Sequence, residues 1–247
     1  MLTIDVVPGV HLIEYAHVNC YLIEGQSGLT LVDSGLPGVW HELGTALRTL
    51  GHRPEDLRAL VLTHAHFDHV GTSRRLVQRL GVPVHLHPQD AELAAHPYRY
   101  AHENPRSVYP LRHPRALPVL GSMLLAGAAR VRGIDRTVPL MTGSELDVPG
   151  RPQVIATPGH TYGHVSLHLP ERDAILSGDA LVTLDPYTAR RGPRIIAGAA
   201  TADSAMALRS LEAIARTDAS VVLPGHGGVW RHGAREAVER ALREGPA

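Results

Sequence analysis

Short apolar runs separated by turn residues dominate the first third of the chain. Residues 10–14, 19–24 and 29–32 are β-rich, and Gly25-Gln26-Ser27-Gly28 joins the last two as the turn of a hairpin ending at Asp33-Ser34-Gly35. Leu43, Ala46, Leu47 and Leu50 then recur at helical spacing and stop at Gly51. Residues 57–63 are nearly continuously apolar, the pattern of a buried strand, and deliver the chain into His64. A helix is predicted over 72–80, ended by Gly81, and a strand over 83–87.

Between residues 88 and 150 this rhythm breaks. Residues 96–118 are dense in Pro, Arg, His and Tyr, which predicts an irregular surface segment, and 118–131 are apolar and small-residue-rich, which predicts a helix. Strands resume at 153–157, 165–169 and 174–177. A helix over 202–215, a strand over 220–223 and an amphipathic helix over 233–243 complete the pattern, and there is no internal repeat. Strands and helices mixed throughout indicate a single α/β domain over 1–247, with 88–150 inserted in it.

Composition narrows the chemistry. The chain has 247 residues, 44% of them hydrophobic, enough for one sizeable core. Basic and acidic residues balance at 24 each, which argues against a nucleic-acid-binding face across the whole domain but leaves room for a local basic patch. Every basic residue is Arg, so neither a Schiff-base lysine nor a Walker-type phosphate loop is available. Cys20 is alone, which excludes an intrachain disulfide and a cysteine-rich zinc site and predicts a buried structural thiol. No charged-then-apolar leader opens the chain. The longest apolar run, 116–131, contains Pro118, Gly121 and Arg130 and is too short to span a bilayer. The expectation is a cytoplasmic protein with no membrane partner.

The candidate chemistry lies in His64-Ala65-His66-Phe67-Asp68-His69, immediately after the buried strand. Neutral imidazoles and carboxylates suit zinc and other borderline metals, but four in six residues do not fit one tetrahedral ion. His64 and His66 point the same way from an extended loop, while Asp68 and His69 begin the next turn, so two adjacent sites are expected. Three later residues each follow a predicted strand: His160 in Thr157-Pro158-Gly159-His160, Asp179 in Ser177-Gly178-Asp179, and His226 in Pro224-Gly225-His226-Gly227. Any one of these is an ordinary turn residue taken alone; the hexapeptide together with all three is not.

This pattern resembles the metallo-β-lactamase superfamily, whose signature is H-x-H-x-D-H followed by separate His, Asp and His ligands. The match runs from Leu31-Val32-Asp33-Ser34-Gly35 to His226-Gly227. The resemblance implies an αββα four-layer sandwich with metals at one edge. It also implies a division of ligands, with His64, His66 and His160 on the first metal, Asp68, His69 and His226 on the second, and Asp179 bridging them. Two metals roughly 3.5–4 Å apart share a water whose pKa falls to about 7. The expected cofactor is therefore a pair of zinc ions (iron or manganese being the alternatives), and Asp68 orients the bridging hydroxide. Asp33 either accepts a proton from a ligating imidazole or caps its own turn. His164 and Thr161 either hydrogen-bond near the site or simply begin a strand.

The branch of the superfamily is bounded by departures. The commonest subclass of β-lactamases has Cys where this chain has Asp179, and flavodiiron oxygen reductases have Glu at the position of His66. Glyoxalase II enzymes resemble the ligand set but add a C-terminal glutathione-binding domain, for which the residues after His226 are too few. Acyl-homoserine lactonases fit the length and ligand order but place a Tyr where Val182 stands here, leaving Tyr187 or Tyr162 as spatial substitutes. The main expectation is a dinuclear zinc hydrolase of a small-molecule ester, lactone or thioester. The alternatives are a mononuclear iron persulfide dioxygenase, a glyoxalase II-like thioesterase, and a non-catalytic metal-binding role. The segment 88–150 is read as the lid, its apolar stretch 119–129 lining an acyl pocket or packing a homodimer.

Overall fold

The computed structural model describes residues 1–246. The chain opens with antiparallel strands β1 (Leu2–Val7), β2 (Val10–Tyr15), β3 (Val18–Gly25) and β4 (Gly28–Val32). Helix α1 (Val39–Thr49) leads to β5 (Leu57–Val61), and α2 (Ser73–Leu80) to β6 (Val84–Leu86). Helices α3 (Ala91–Ala95), α4 (Tyr109–Arg112) and α5 (Leu117–Leu125) then precede β7 (Val138–Pro139), which completes a seven-stranded sheet in the order β1 to β7. A four-stranded sheet follows, ordered β13-β10-β9-β8, from β8 (Gln153–Ala156), β9 (Val165–Leu169), β10 (Ala174–Gly178) and β13 (Val221–Pro224). Strands β11 (Val182–Leu184) and β12 (Arg191–Arg194) form a hairpin, and helices α6 (Ser204–Ala215) and α7 (Ala234–Glu244) flank β13 in sequence.

The layers follow from side-chain alternation. Along β3, Val18, Cys20 and Leu22 enter the core under the helices, while Tyr21 and Ile23 enter the core between the sheets. Helix α1 buries Val39, Leu43, Ala46 and Leu47, one helical face, in the same outer core as Leu76 of α2 and Met123 of α5. Between the sheets, Val10, Ile23 and Val61 pack with Val154, Leu167 and Leu176. On the far side, Ile175 and Val222 pack with Leu211, Ile214 and Val238 of α6 and α7. Each Val, Leu, Ile or Met side chain among these contributes roughly 1.5–3 kcal/mol by leaving water. The result is helices, sheet, sheet, helices: the expected αββα sandwich.

Some elements escape the hydrophobic pattern. β1 is an edge strand whose Thr3, Ile4 and Asp5 are exposed, β7 has two residues and β11 three, all too short or too polar for a period-two signal. Helix α5 stops at Leu125, short of 131, because the chain turns back under Tyr98, whose hydroxyl donates to Ala128 O (2.8 Å) and accepts from Val131 N–H (2.8 Å). Cys20 is buried, and burial together with Asp33 pushes its thiol well above the ordinary value, so it is inert. No helix among the described residues is long and apolar enough to cross a membrane.

Candidate metal centre

The ends of β4, β5, β10 and β13 meet at one edge of the sandwich and carry Asp33, the 64–69 loop, Asp179 and His226 respectively. His160 joins them from the turn between β8 and β9. Three sets of ligand atoms result, each within 4.8 Å: His64, His66 and His160; Asp68, His69 and His226; and, between them, His64, His69 and Asp179. Asp179 Oδ2 lies 3.3 Å from His226 Nε2, 3.4 Å from His69 Nε2, 3.5 Å from His160 Nε2 and 3.9 Å from His64 Nε2. One carboxylate oxygen thus faces imidazoles of both outer sets. Close approach makes Gly225 obligatory, since a Cβ there would stand 2.0 Å from Asp179 Oδ1.

Backbone and side-chain acceptors fix the imidazole tautomers. Asp33, held at φ 56°, accepts from Thr63 N–H and Thr63 Oγ–H (2.8 Å each) and from His69 Nδ1–H at 2.9 Å. Because the Thr63 hydroxyl donates to Asp33, it accepts from His64 Nδ1–H (3.0 Å). Likewise the Thr201 hydroxyl donates to Ile196 O and accepts from His160 Nδ1–H (3.4 Å), and His226 Nδ1–H donates to His17 O at 2.7 Å. In each of these rings Nδ1–H is the donor to its acceptor, which leaves Nε2 as the nitrogen aimed at the centre. The Nε2 atoms of His64, His66, His69 and His160 and Asp179 Oδ1 are buried without a hydrogen-bond partner. Orphaned lone pairs packed this closely are costly, and cations held by these sets would satisfy them.

Electrostatics point the same way. Burial, reinforced by neighbouring imidazoles, holds His64, His66, His160 and His164 well below the usual histidine range, so they are neutral. Burial would also raise Asp179, but His226 and His69 outweigh it and hold that carboxyl well below its usual range. Burial would lower His226 in turn, but Asp179 and Asp68 overcome it and push the imidazole up to about 10. Without a metal, the carboxylates draw a proton onto His226, where a divalent ion would otherwise supply the positive charge.

His164 lies behind the centre: its Nε2 accepts from Asp179 N–H (3.0 Å) and its Nδ1 pairs with Thr157 Oγ1 (2.9 Å). Tyr187 lines the cleft over the ligands with Phe67, Tyr100, Ile196 and Ala200, whereas Tyr162 is half-exposed on a separate groove with His87 and Met206. That cleft is tight, about 10 Å³, while a much larger groove, about 990 Å³, runs past Glu24, Arg58 and Arg172 and touches none of the ligand sets. Chemistry, not size, identifies the site.

Several residues act here without a signal in the sequence. Asp90 is buried, and its carboxylate accepts from Ala65 N–H (3.1 Å), Thr161 Oγ–H (2.7 Å) and Gly163 N–H (2.9 Å), tying the loop of His64 to that of His160. The Asn19 amide donates to Pro224 O and Gly227 O (2.8 Å each), and its backbone N–H to Gly225 O, clamping the His226 loop to β3. The Tyr100 ring sits 4.2 Å from the His66 ring, its hydroxyl 3.1 Å from that of Tyr187, and the Arg106 guanidinium lies 3.8 Å over its face.

The comparisons with known proteins agree with this geometry. The family model of the metallo-beta-lactamase superfamily matches residues 15–226. The probable metallo-hydrolase YflN of Bacillus subtilis is 26% identical over 89% of this chain and 84% of its own length. An N-acyl homoserine lactonase of a Bacillus species is 27% identical over 84% of this chain and 80% of its own. Among solved structures, TTHA1623 in a di-iron-bound form superposes with a TM-score of 0.63 at 29% identity, covering 92% of this chain and 95% of that one. With its signature loop, its sandwich and its paired His/Asp sets, the chain belongs to the metallo-beta-lactamase superfamily.

Proposed function

We propose that this chain is a dinuclear metallo-hydrolase, with zinc as its resident ion, that cleaves an ester, lactone or thioester of a small molecule in the cytoplasm. The observation that carries the reading is the position of Asp179 Oδ2, within 3.9 Å of Nε2 atoms from both outer ligand sets, which suits a carboxylate shared by two ions. Bound there, a pair of divalent ions would supply Lewis acidity and lower the pKa of a coordinated water to about 7. His64, His66 and His160 would hold one ion, and Asp68, His69 and His226 the other.

The remaining groups handle the substrate. Asp68 is the most open of the seven ligand residues and lines the cleft. Its Oδ2 faces His226 Nε2 at 3.3 Å, leaving Oδ1 to take the proton of the attacking water and pass it to the leaving oxygen or sulfur. Burial raises the phenols of Tyr100 and Tyr187, so both stay protonated. Paired at 3.1 Å, they have one hydroxyl proton to spare for a substrate oxygen. The tight aromatic cleft favours a substrate that is slender near its scissile bond. The lactonase relative supports a lactone or ester.

The test joins two measurements on the same preparation: metal content of chelator-free protein, and hydrolysis of a panel of aliphatic lactones, aryl esters and acyl thioesters. About two zinc ions per chain and turnover that follows metal content are expected. One iron per chain with oxygen consumption on a persulfide would overturn the reading.

A further inference from the structure

Helix α5 presents two unlike faces. Val119, Met123 and Ala126 turn inward to the outer core, and Tyr98 staples the following turn to the body of the domain, so the helix is firmly seated. Leu117, Leu124 and Leu125 lie on the opposite face, the last 93% exposed, and Leu111 at the preceding turn is 85% exposed. The first three recur seven and eight residues apart, a single helical face with nothing over it.

The charge around that face is one-sided. Residues 104–134 contain Arg106, Arg112, Arg115, Arg130 and Arg132 and not one Asp or Glu, in a chain whose net charge is zero. Arg112, Arg115, Arg130 and Arg132 are exposed at the two ends of the helix, and none has an ion-pair partner among the described residues. Protruding leucines rimmed by free arginines are the composition of a helix that lies in a membrane interface. A second copy of the chain fits worse. A two-fold contact through this face would set the same arginines against their own copies, with no acid in the segment to offset them.

We infer that the outer face of α5, with Leu111, Leu117, Leu124 and Leu125 and the flanking arginines, docks reversibly on an anionic lipid surface. This revises the expectation of no membrane partner: lying on a bilayer needs no spanning segment. Arg106 of the same segment stacks on the Tyr100 ring, which lines the cleft.

Flotation with phosphatidylcholine vesicles carrying about 30% phosphatidylserine, against phosphatidylcholine alone, tests this. Binding is expected only to the anionic vesicles and is expected to fade between about 0.1 and 0.5 M salt. Leu124→Asp with Leu125→Asp should reduce it at least about tenfold. Arg112→Glu with Arg115→Glu should reduce it by about fivefold or more per charge. Both double variants replace exposed side chains, and their melting temperature and turnover of a water-soluble substrate should match the parent. No binding at low salt, or equal binding by the leucine variant, overturns the inference. So does a parent dimer that the leucine variant dissociates, which would assign the face to a second copy.

Discussion

Asp33 Oδ2 lies 2.9 Å from His69 Nδ1, although 36 residues separate them in sequence, and the same carboxylate takes both donors of Thr63. One side chain at the end of β4 thereby sets the direction of His69 and, through the Thr63 hydroxyl, of His64, which belong to different outer ligand sets. Asp33→Ala is expected to weaken metal binding by about 10–100-fold. It should also lower stability by about 1–3 kcal/mol, because three buried donors lose their acceptor. Competition with a coloured chelator reads the first effect, and denaturant unfolding the second.

Asp68→Asn separates proton handling from metal holding. The amide keeps the shape and one oxygen ligand but cannot accept a proton. A kcat loss of about 10²–10⁴ with near-parental metal content is expected. Loss of metal in parallel with activity would instead make Asp68 a ligand only, so both are measured on one preparation.

Gly225→Ala tests the closeness of the packing. Its Cβ would meet Asp179 Oδ1 at 2.0 Å and His69 Cε1 at 3.0 Å, and neither can retreat within a buried centre. Activity should fall below detection, and stability should drop by about 1–3 kcal/mol, as overpacked cores do. Thermal melts and metal analysis check this, while Gly228→Ala, where an added Cβ meets nothing within 4 Å, serves as the control.

Removing the metal should change how stability depends on pH. In the metal-free chain His226 titrates near 10, above its ordinary 6.5, so its contribution is complete below 6.5 and is lost as pH rises through 10. His64, His66, His160 and His164 titrate below 6.5, so their contributions are complete above 6.5 and are lost as pH falls through those lower values. Melting temperature should therefore peak near pH 6.5 without metal and fall on both sides. Metal loading should abolish the alkaline fall, with proton release visible by calorimetry in buffers of different ionisation heat.

The sandwich and its ligand loops were legible because their signals are local: buried strands read as apolar runs, and the hexapeptide packs four metal-competent side chains behind one of them. Asp179 and His226 were visible only as turn residues after strands, and the ligand pattern gave them meaning. Asp90, Asn19, Thr201 and Tyr100 left no comparable trace. Each works through space on a partner far along the chain, as Asp90 does on Thr161 across 71 residues, and a lone Asp or Asn in a loop has no periodicity to betray it. Tyr162 and Tyr187 looked alike in sequence. The β11–β12 hairpin, too short to be seen beforehand, carries the chain past Tyr187 into the cleft, while Tyr162 stays outside.

The clamp between Asn19 and the Pro224–Gly227 loop joins segments 205 residues apart. During synthesis the first hairpin emerges long before the loop it must grip, and an intermediate that stops short of His226 has no second ion site to close. If the site holds its metals as proposed, a chain arrested on the ribosome before residue 226, however well its first sheet has formed, would lack the second ligand set.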